Sequence, residues 1–344
     1  MEIEFINENN FQDWDEFVYN SDSAWFRHTT FWQKYSSCCR FDSNTKNFSF
    51  LVKQNNQIQA VVPLLAEYSY PEKTFDCFCM YGDYTPLPAY VNKTDIDKAK
   101  VNDCIKNEIY RIAKENNIKY GKFIIDPLIK YNYFNDFECF NLLDTRAKLN
   151  FSTTNIVDLT LDDEVILRKM RKGHKAAIKA AAKETGYHTE IYDKNNITKG
   201  KMLKFKEIHK IDAGRQTRTD ESWDCMLQWI QDGYAFLIML WLDEIKDYVC
   251  GALIILYKKH AYYGSYGIID SNLLNGHCGY IIQYEVIKYL KRSGYEKYET
   301  GENYYKEIRD DNDLKLHQIA KYKRGFRSLE YPKITYYHLY EKEL

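Results

Sequence analysis

Two stretches of this chain run through the same elements in the same order and at nearly the same spacing, which restricts the fold more than any bulk property does. The first is a hairpin over 48–67, with strands Phe48–Val52 and Ile58–Glu67 about the polar turn Gln54-Asn55-Asn56-Gln57. An amphipathic helix over 101–116 and a buried strand Lys122–Asp126 follow it. The second stretch is a hairpin over 235–257, a helix over 280–292 and a strand over 295–300. Even the helix-to-strand junctions correspond, Asn116-Asn-Ile-Lys-Tyr-Gly-Lys-Phe123 beside Lys291-Arg-Ser-Gly-Tyr-Glu-Lys-Tyr298. One supersecondary unit used twice predicts an α/β chain with mixed sheets in two tandem domains, 1–150 and 151–344, with a cleft between them. The last strand, Ile334–Tyr340, is free in this reading to pack back on the first domain. At 344 residues each half has enough chain for its own core.

The second copy carries more chemistry. Strand Ala261–Ile268 leads into the turn Asn275-Gly-His-Cys-Gly279, and the helix Tyr280–Arg292 follows, with Ile282, Val286, Ile287 and Leu290 on one face. Lys291 and Arg292 complement the helix C-terminus, and Gly294 suits a left-handed cap. A turn that ends on a helix N-terminus presents free N–H groups to an anion, and Gly276 and Gly279 allow the close approach of a phosphorylated ligand. The plain alternative is an ordinary loop glycine before a helix. Cys278 beside the turn reads as a packed, buried thiol before it reads as a nucleophile.

Residues 165–183 read as one helix of a different character. Arg168, Lys169, Arg171, Lys172, Lys175, Lys179 and Lys183 alternate with Leu167, Met170, Ile178 and alanines. Like charges along one helix repel unless something anionic offsets them, so Arg171, Lys172 and Lys175 are candidates for holding the donor's phosphates. The alternative partner is the acidic first half, where 17 Lys+Arg stand against 21 Asp+Glu over residues 1–150. Further helices are expected over Phe11–Tyr19, Lys201–Ile211, Ser222–Gln231 and about Leu316–Lys323, and an irregular, proline-marked lip over 76–90. The net charge of −1 gives no global field for nucleic acid or membrane, so a polyanion has to be met by a local patch. Nine cysteines with no zinc-like spacing predict no metal site. The acidic start Met-Glu-Ile-Glu-Phe lacks the basic region of a signal peptide, no apolar run reaches membrane-spanning length, and the expected setting is cytoplasmic with reduced thiols.

With the duplicated unit and the basic helix in view, the sequence resembles the FemAB-like transferases, which are tandem copies of the acyl-CoA N-acyltransferase (GNAT) fold. Four pieces carry the resemblance: Lys169–Gly186 as the basic helix entering the second domain, His209–Trp223 as the arginine-bearing loop and helix, Gly276–Gly301 as turn, helix and strand, and Ile319-Ala-Lys-Tyr-Lys-Arg-Gly-Phe326 as the C-terminal "FKxxF" element. Together they span most of 160–330. Arg327-Ser328 departs from the family's glycines, and the helical arm that several members use with tRNA has no counterpart.

The resemblance implies transfer of an acyl or aminoacyl group from acyl-CoA or aminoacyl-tRNA, used as co-substrate with no tightly bound cofactor. The amine acceptor would belong to a cell-envelope or glycan precursor, peptidoglycan included. A narrower version is an acetyl-CoA-dependent enzyme acting on a nucleotide-activated amino sugar, and a third reading is an inactive tandem GNAT-like binding module. By the same resemblance the splayed strands Ala261–Ile268 and Tyr295–Thr300 would grip the acyl arm. Lys323 would stand beside the transferred group as the catalytic residue, with Tyr322 and Phe326 near the substrate. Lys34 with Trp32 would line the acceptor side. Read as residues, Lys321, Lys323, Arg324 and Arg327 could equally be a solvated helix face, whereas Arg215 and Arg218, three apart among Gly214, Gln216, Thr217 and Thr219, form a fork suited to an anion. No general base stands out among His209, Asp212, Asp220, Glu302 and His317, and the oligomeric state is open.

Overall fold

The computed structural model describes residues 1–41, 44–69, 74–80, 83–92, 97–128, 147–303 and 314–340. The chain divides into two compact units, one of residues 1–151 with 333–344 and one of 152–332.

In the first unit, β1 (Glu2–Phe5), α1 (Phe11–Asn20) and α2 (Thr30–Cys38) precede β2 (Asn44–Asn47) and the hairpin β3 (Phe50–Gln54) and β4 (Gln57–Val62). Next come β5 (Leu65–Ser69), β6 (Thr74–Phe78), the short β7 (Thr85–Pro86) and β8 (Ala89–Tyr90), α3 (Lys98–Glu115) and β9 (Tyr120–Ile124). One sheet has the order β1-β3-β4-β8. The other runs β9-β6-β5-β2, with the closing strand of the chain antiparallel to β9 at Thr335–Leu339. The strand expected over Ile58–Glu67 is broken, and Pro63 is the reason: it has no N–H for a ladder, so β4 stays with β3 while β5 pairs with β6 in the other sheet. Leu64 N–H turns instead to the Ser49 hydroxyl at 2.8 Å. The expected irregular lip over 76–90 contains the end of β6 and all of β7 and β8. Val101, Ile105, Ile109 and Ile112, the inward stripe of α3, pack with Phe50, Val62, Phe78 and Phe123 in this unit's core.

β10 (Ala147–Asp158) leads into the second unit, followed by α4 (Asp163–Lys169), α5 (Lys172–Ala181), β11 (Tyr187–Tyr192), α6 (Lys199–Ala213) and α7 (Asp220–Gln231). Then come β12 (Ala235–Leu242), β13 (Asp247–Tyr257), β14 (His260–Ile268), α8 (Leu273–Gly276), α9 (Cys278–Arg292), β15 (Lys297–Glu302), α10 (Leu314–Arg324) and β16 (Leu329–Leu339). The sheet of this unit has the order β11-β12-β13-β14-β15-β10. Ile282, Val286, Ile287 and Leu290 of α9 lie in the core with Phe236, Ile238, Ala252 and Ile254 of the sheet.

The single helix expected over 165–183 is two helices. Met170 and Arg171 are extended, with ψ of 152° and 143°. Met170 is buried, and the N–H of Arg171 donates to the carbonyl of Gly325 at 3.0 Å, so a tertiary contact takes the donor that would have continued the helix. β10 and β11 have no counterpart in the sequence-based reading, and α9 begins at Cys278, which puts Gly279 inside the helix instead of in the turn. Among the described residues no helix is long and apolar enough to cross a membrane.

Candidate active site

The second unit opens along one seam of its sheet. β14 and β15 are parallel, yet they pair over only three residues, His260 with Lys297, Ala261 with Tyr298 and Tyr262 with Glu299. Both strands bulge just past the last pair. Opposite β13 the register jumps so that Gly264 is the extra residue, and opposite β10 it jumps so that Thr300 is. An extra residue bends its strand, and two bulges at one level turn the strands apart. Beyond them β14 stays paired to β13 and β15 to β10, and among the described residues no strand lies between the edges that face each other. Sequence gave one clue, glycine at 264 and 301 within strand patterns. Gly301 needs its lack of a side chain, because its φ is +117°.

Lys323 of α10 reaches this opening. Its Nζ sits 4.3 Å from the centroid of the Tyr263 ring, one residue short of the β14 bulge. A Cβ at Gly301 would stand 3.0 Å from the same nitrogen. One ammonium therefore bridges the two strands where they separate, a position from which it can stabilise negative charge developing in the seam.

Helix α10 is seated by contacts that sequence reading missed. His174 of α5 is buried, and its Nε2 is 2.8 Å from the carbonyl of Tyr322, so the ring carries its proton on Nε2. Burial holds its pKa below the ordinary value, and the charge of Arg171 adds to the effect. Gly325 allows the contact: a Cβ there would fall 2.0 Å from the imidazole. Phe326 packs against His174 with ring centroids 4.7 Å apart and is 1% exposed. Phe326, expected near the substrate, is thus packed among the side chains that seat α10. Tyr322 reaches inward too; its hydroxyl would lie 2.8 Å from a Cβ at Gly279, and it is buried with no hydrogen-bond partner.

Gly279 is thus a packing glycine, filled over by the hydroxyls of Tyr322 and Tyr266. The turn before it already holds a carboxylate: Asn275 Nδ2 and His277 Nδ1 lie 3.0 and 3.1 Å from Glu184 Oε1. These hydrogen bonds lower the pKa of Glu184, fixing a negative charge beside Gly276, where a donor phosphate was expected. Cys278 is fully buried, its thiol donates to the Leu273 carbonyl, and burial pushes its pKa up to about 11, so it is no nucleophile at neutral pH.

The arginine-bearing loop lies between α6 and α7. Gly267 of β14 lets α6 approach, since a Cβ there would stand 2.8 Å from the Cα of His209. Arg218 has its guanidinium 5.2 Å from the centroid of the Trp223 ring, and its Nη2 donates to His209 Nε2 at 3.5 Å. Burial and that neighbouring charge hold His209 down to about 4, so it is neutral at pH 7 and its Nε2 is engaged, which leaves a poor base. Arg215 is exposed. The two guanidinia therefore stand in different surroundings. Of the basic residues, Lys175 donates to the Arg168 carbonyl, Lys172 is exposed, and Arg171 lines a cavity with Lys169, Lys321, Arg324 and Arg327. Trp32 and Lys34 belong to the first unit, where Trp32 is buried and Lys34 exposed on α2.

Neither a family model nor a curated protein matches the sequence. Among solved structures the chain is similar to FemX, at 15% identity over 96% of this chain and 97% of that one, with a TM-score of 0.66. It is similar to L-PGS from Bacillus licheniformis at 12% identity over 99% and 94%, with a TM-score of 0.60. A tandem GNAT protein from the clavulanic acid biosynthesis pathway, solved without AcCoA, matches at 9% identity over 100% of both chains, with a TM-score of 0.54. Identities this low speak to fold. The chain has the mixed α/β fold of the FemAB-like tandem GNAT proteins.

Proposed function

We propose that the protein is an N-acyltransferase that moves an acyl or aminoacyl group from an activated donor to an amine of a cell-envelope or glycan precursor. The observation that carries this reading is the Lys323 ammonium beside the seam between β14 and β15, over Tyr263 and against Gly301. The acyl arm of the donor lies in the seam, where unpaired strand edges can hydrogen-bond it. The neutral amine attacks the carbonyl carbon; a C–N bond forms, and the C–S bond of a thioester or the C–O bond of an aminoacyl ester breaks. The amine gives its surplus proton to water or to a substrate phosphate, and the leaving sulfur or oxygen takes one up. Lys323 stabilises the oxyanion of the tetrahedral intermediate. In this reading Arg218, which lies over Trp223 and donates to His209, and the exposed Arg215 meet an anionic part of the acceptor. AcCoA is named for one structural neighbour, so acetyl-CoA is the first donor to try, and aminoacyl-tRNA the second.

Thermal melting with acetyl-CoA, with charged tRNA and with neither separates the donors, because a ligand that binds the native state raises its stability. Turnover with the stabilising donor is then compared in Lys323→Ala, where a fall of at least about tenfold is expected with the melting temperature kept. An unchanged rate removes Lys323 from the mechanism, and no response to either donor turns the reading toward a binding module.

A further inference from the structure

We propose that the cavity between α10 and the start of α5 is a binding site for a ligand presenting two or more phosphate groups, the phosphorylated end of the acyl donor. This rests on the transferase reading for the word donor, though not for the site. The cavity is about 460 Å³, and five cations line it: Lys169, Arg171, Lys321, Arg324 and Arg327. Among the described residues, no carboxylate is in its lining.

These cations come from two parts of the chain about 150 residues apart and are held together by contacts, not by chance proximity. Arg171 N–H is bonded to the Gly325 carbonyl at 3.0 Å, and His174 to the Tyr322 carbonyl at 2.8 Å. Arg327 is also braced by an ion pair to Glu330, outside the lining. Like charges that line one cavity repel, and a polyanion placed among them gains from each. Arginine forks suit phosphate oxygens, which accept paired N–H bonds.

The geometry of α10 links this cavity to the seam. Lys321 and Arg324, three apart, share the face that lines the cavity, while Lys323 turns to Tyr263 and Gly301. One helix thus offers phosphate contacts on one side and an ammonium at the acyl position on another. The turn before α9, by contrast, carries the charge of Glu184, which repels phosphate. Two donor classes share the required chemistry, a coenzyme with a phosphorylated nucleotide and the phosphodiester end of an RNA.

The test is binding to the full chain by three probes, inorganic triphosphate, coenzyme A and a short single-stranded RNA, each over a range of salt. The proteins are the wild type, Arg171→Glu, the pair Lys321→Glu with Arg324→Glu, and Lys199→Glu as a charge-matched control at an exposed site outside the cavity. At least one probe is expected to bind the wild type, to lose about tenfold or more in the cavity variants, and to change by less than about twofold in the control. A steep salt dependence with RNA alone assigns the RNA source, and tighter binding of coenzyme A assigns the coenzyme. If no probe binds, or if Lys199→Glu weakens binding as much as the cavity variants do, the proposal is wrong. Should the Glu pair fail to fold, the neutral pair Lys321→Gln with Arg324→Gln gives the same comparison. Cavity-dependent binding beside unchanged transfer in Lys323→Ala would leave this site standing and overturn the mechanism; the reverse pattern would do the opposite.

Discussion

His209 shows how one side chain can report on the site without taking part in the chemistry. Its folded pKa of about 4 lies well below the ordinary 6.5, first because the ring is buried and then because Arg218 stands beside it. Between these two values the unfolded chain binds a proton that the folded one refuses. Stability is therefore highest above about pH 6.5, declines as the pH falls toward about 4, and is insensitive to this group below that. His174, held down by burial, acts in the same direction. His209→Gln should flatten part of the decline, read as the difference in urea midpoint between pH 7 and pH 4.5 in variant and wild type. An identical decline in the two proteins would show that His209 is not neutral in the folded state. The glycines matter at this scale for a different reason: Gly325, Gly267 and Gly301 each leave room for a specific neighbour, His174, His209 and Lys323.

Among the elements, α9 was the most legible. Ile282, Val286, Ile287 and Leu290 recur at helical spacing and are all buried against the sheet. Leu290→Ala should cost about 2–5 kcal/mol of unfolding free energy, the range for a buried leucine that leaves a cavity, and urea denaturation measures it. A loss under about 1 kcal/mol would mean that the helix can settle into the space. The stripe on α3 was legible for the same reason, since periodicity records which face is inward, whereas the hairpin over 235–257 was legible as two continuous apolar runs, buried on both faces. What sequence could not reveal depends on partners distant in the chain. The break at Met170 and Arg171 exists because the Gly325 carbonyl takes an N–H from outside the helix. Two-residue β7 has no pattern of its own, and a proline within a strand run, such as Pro63, does not say which sheet each half joins. Of the candidate site, Lys323 was singled out through its motif, whereas its separation from Lys321 and Arg324 onto another face of α10 required the fold.

At the scale of the molecule, the two units repeat one device with opposite outcomes. Each has a parallel pair joined through a helix, β14 and β15 through α9 in the second unit, β6 and β9 through α3 in the first. In the second unit the pair parts after Glu299 and the seam stays open. In the first, β6 meets β9 only at Cys77 with Tyr120 and Phe78 with Gly121, and β7 then takes over, pairing Thr85 with Phe123 and Pro86 with Ile124. Leu87 N–H continues the contact to the Ile124 carbonyl at 3.0 Å. The chain itself occupies the first seam, so the backbone groups that would grip an acyl arm are already bonded. If the protein works as the transferase proposed above, one donor per chain is expected. Titration calorimetry with the donor that raises the melting temperature should give a stoichiometry near one, and Lys323→Glu, which places a negative charge at the open seam, should abolish that binding without exposing a second event. Two equivalent sites per chain, or one site indifferent to Lys323→Glu, would mean that the donor does not use the seam between β14 and β15.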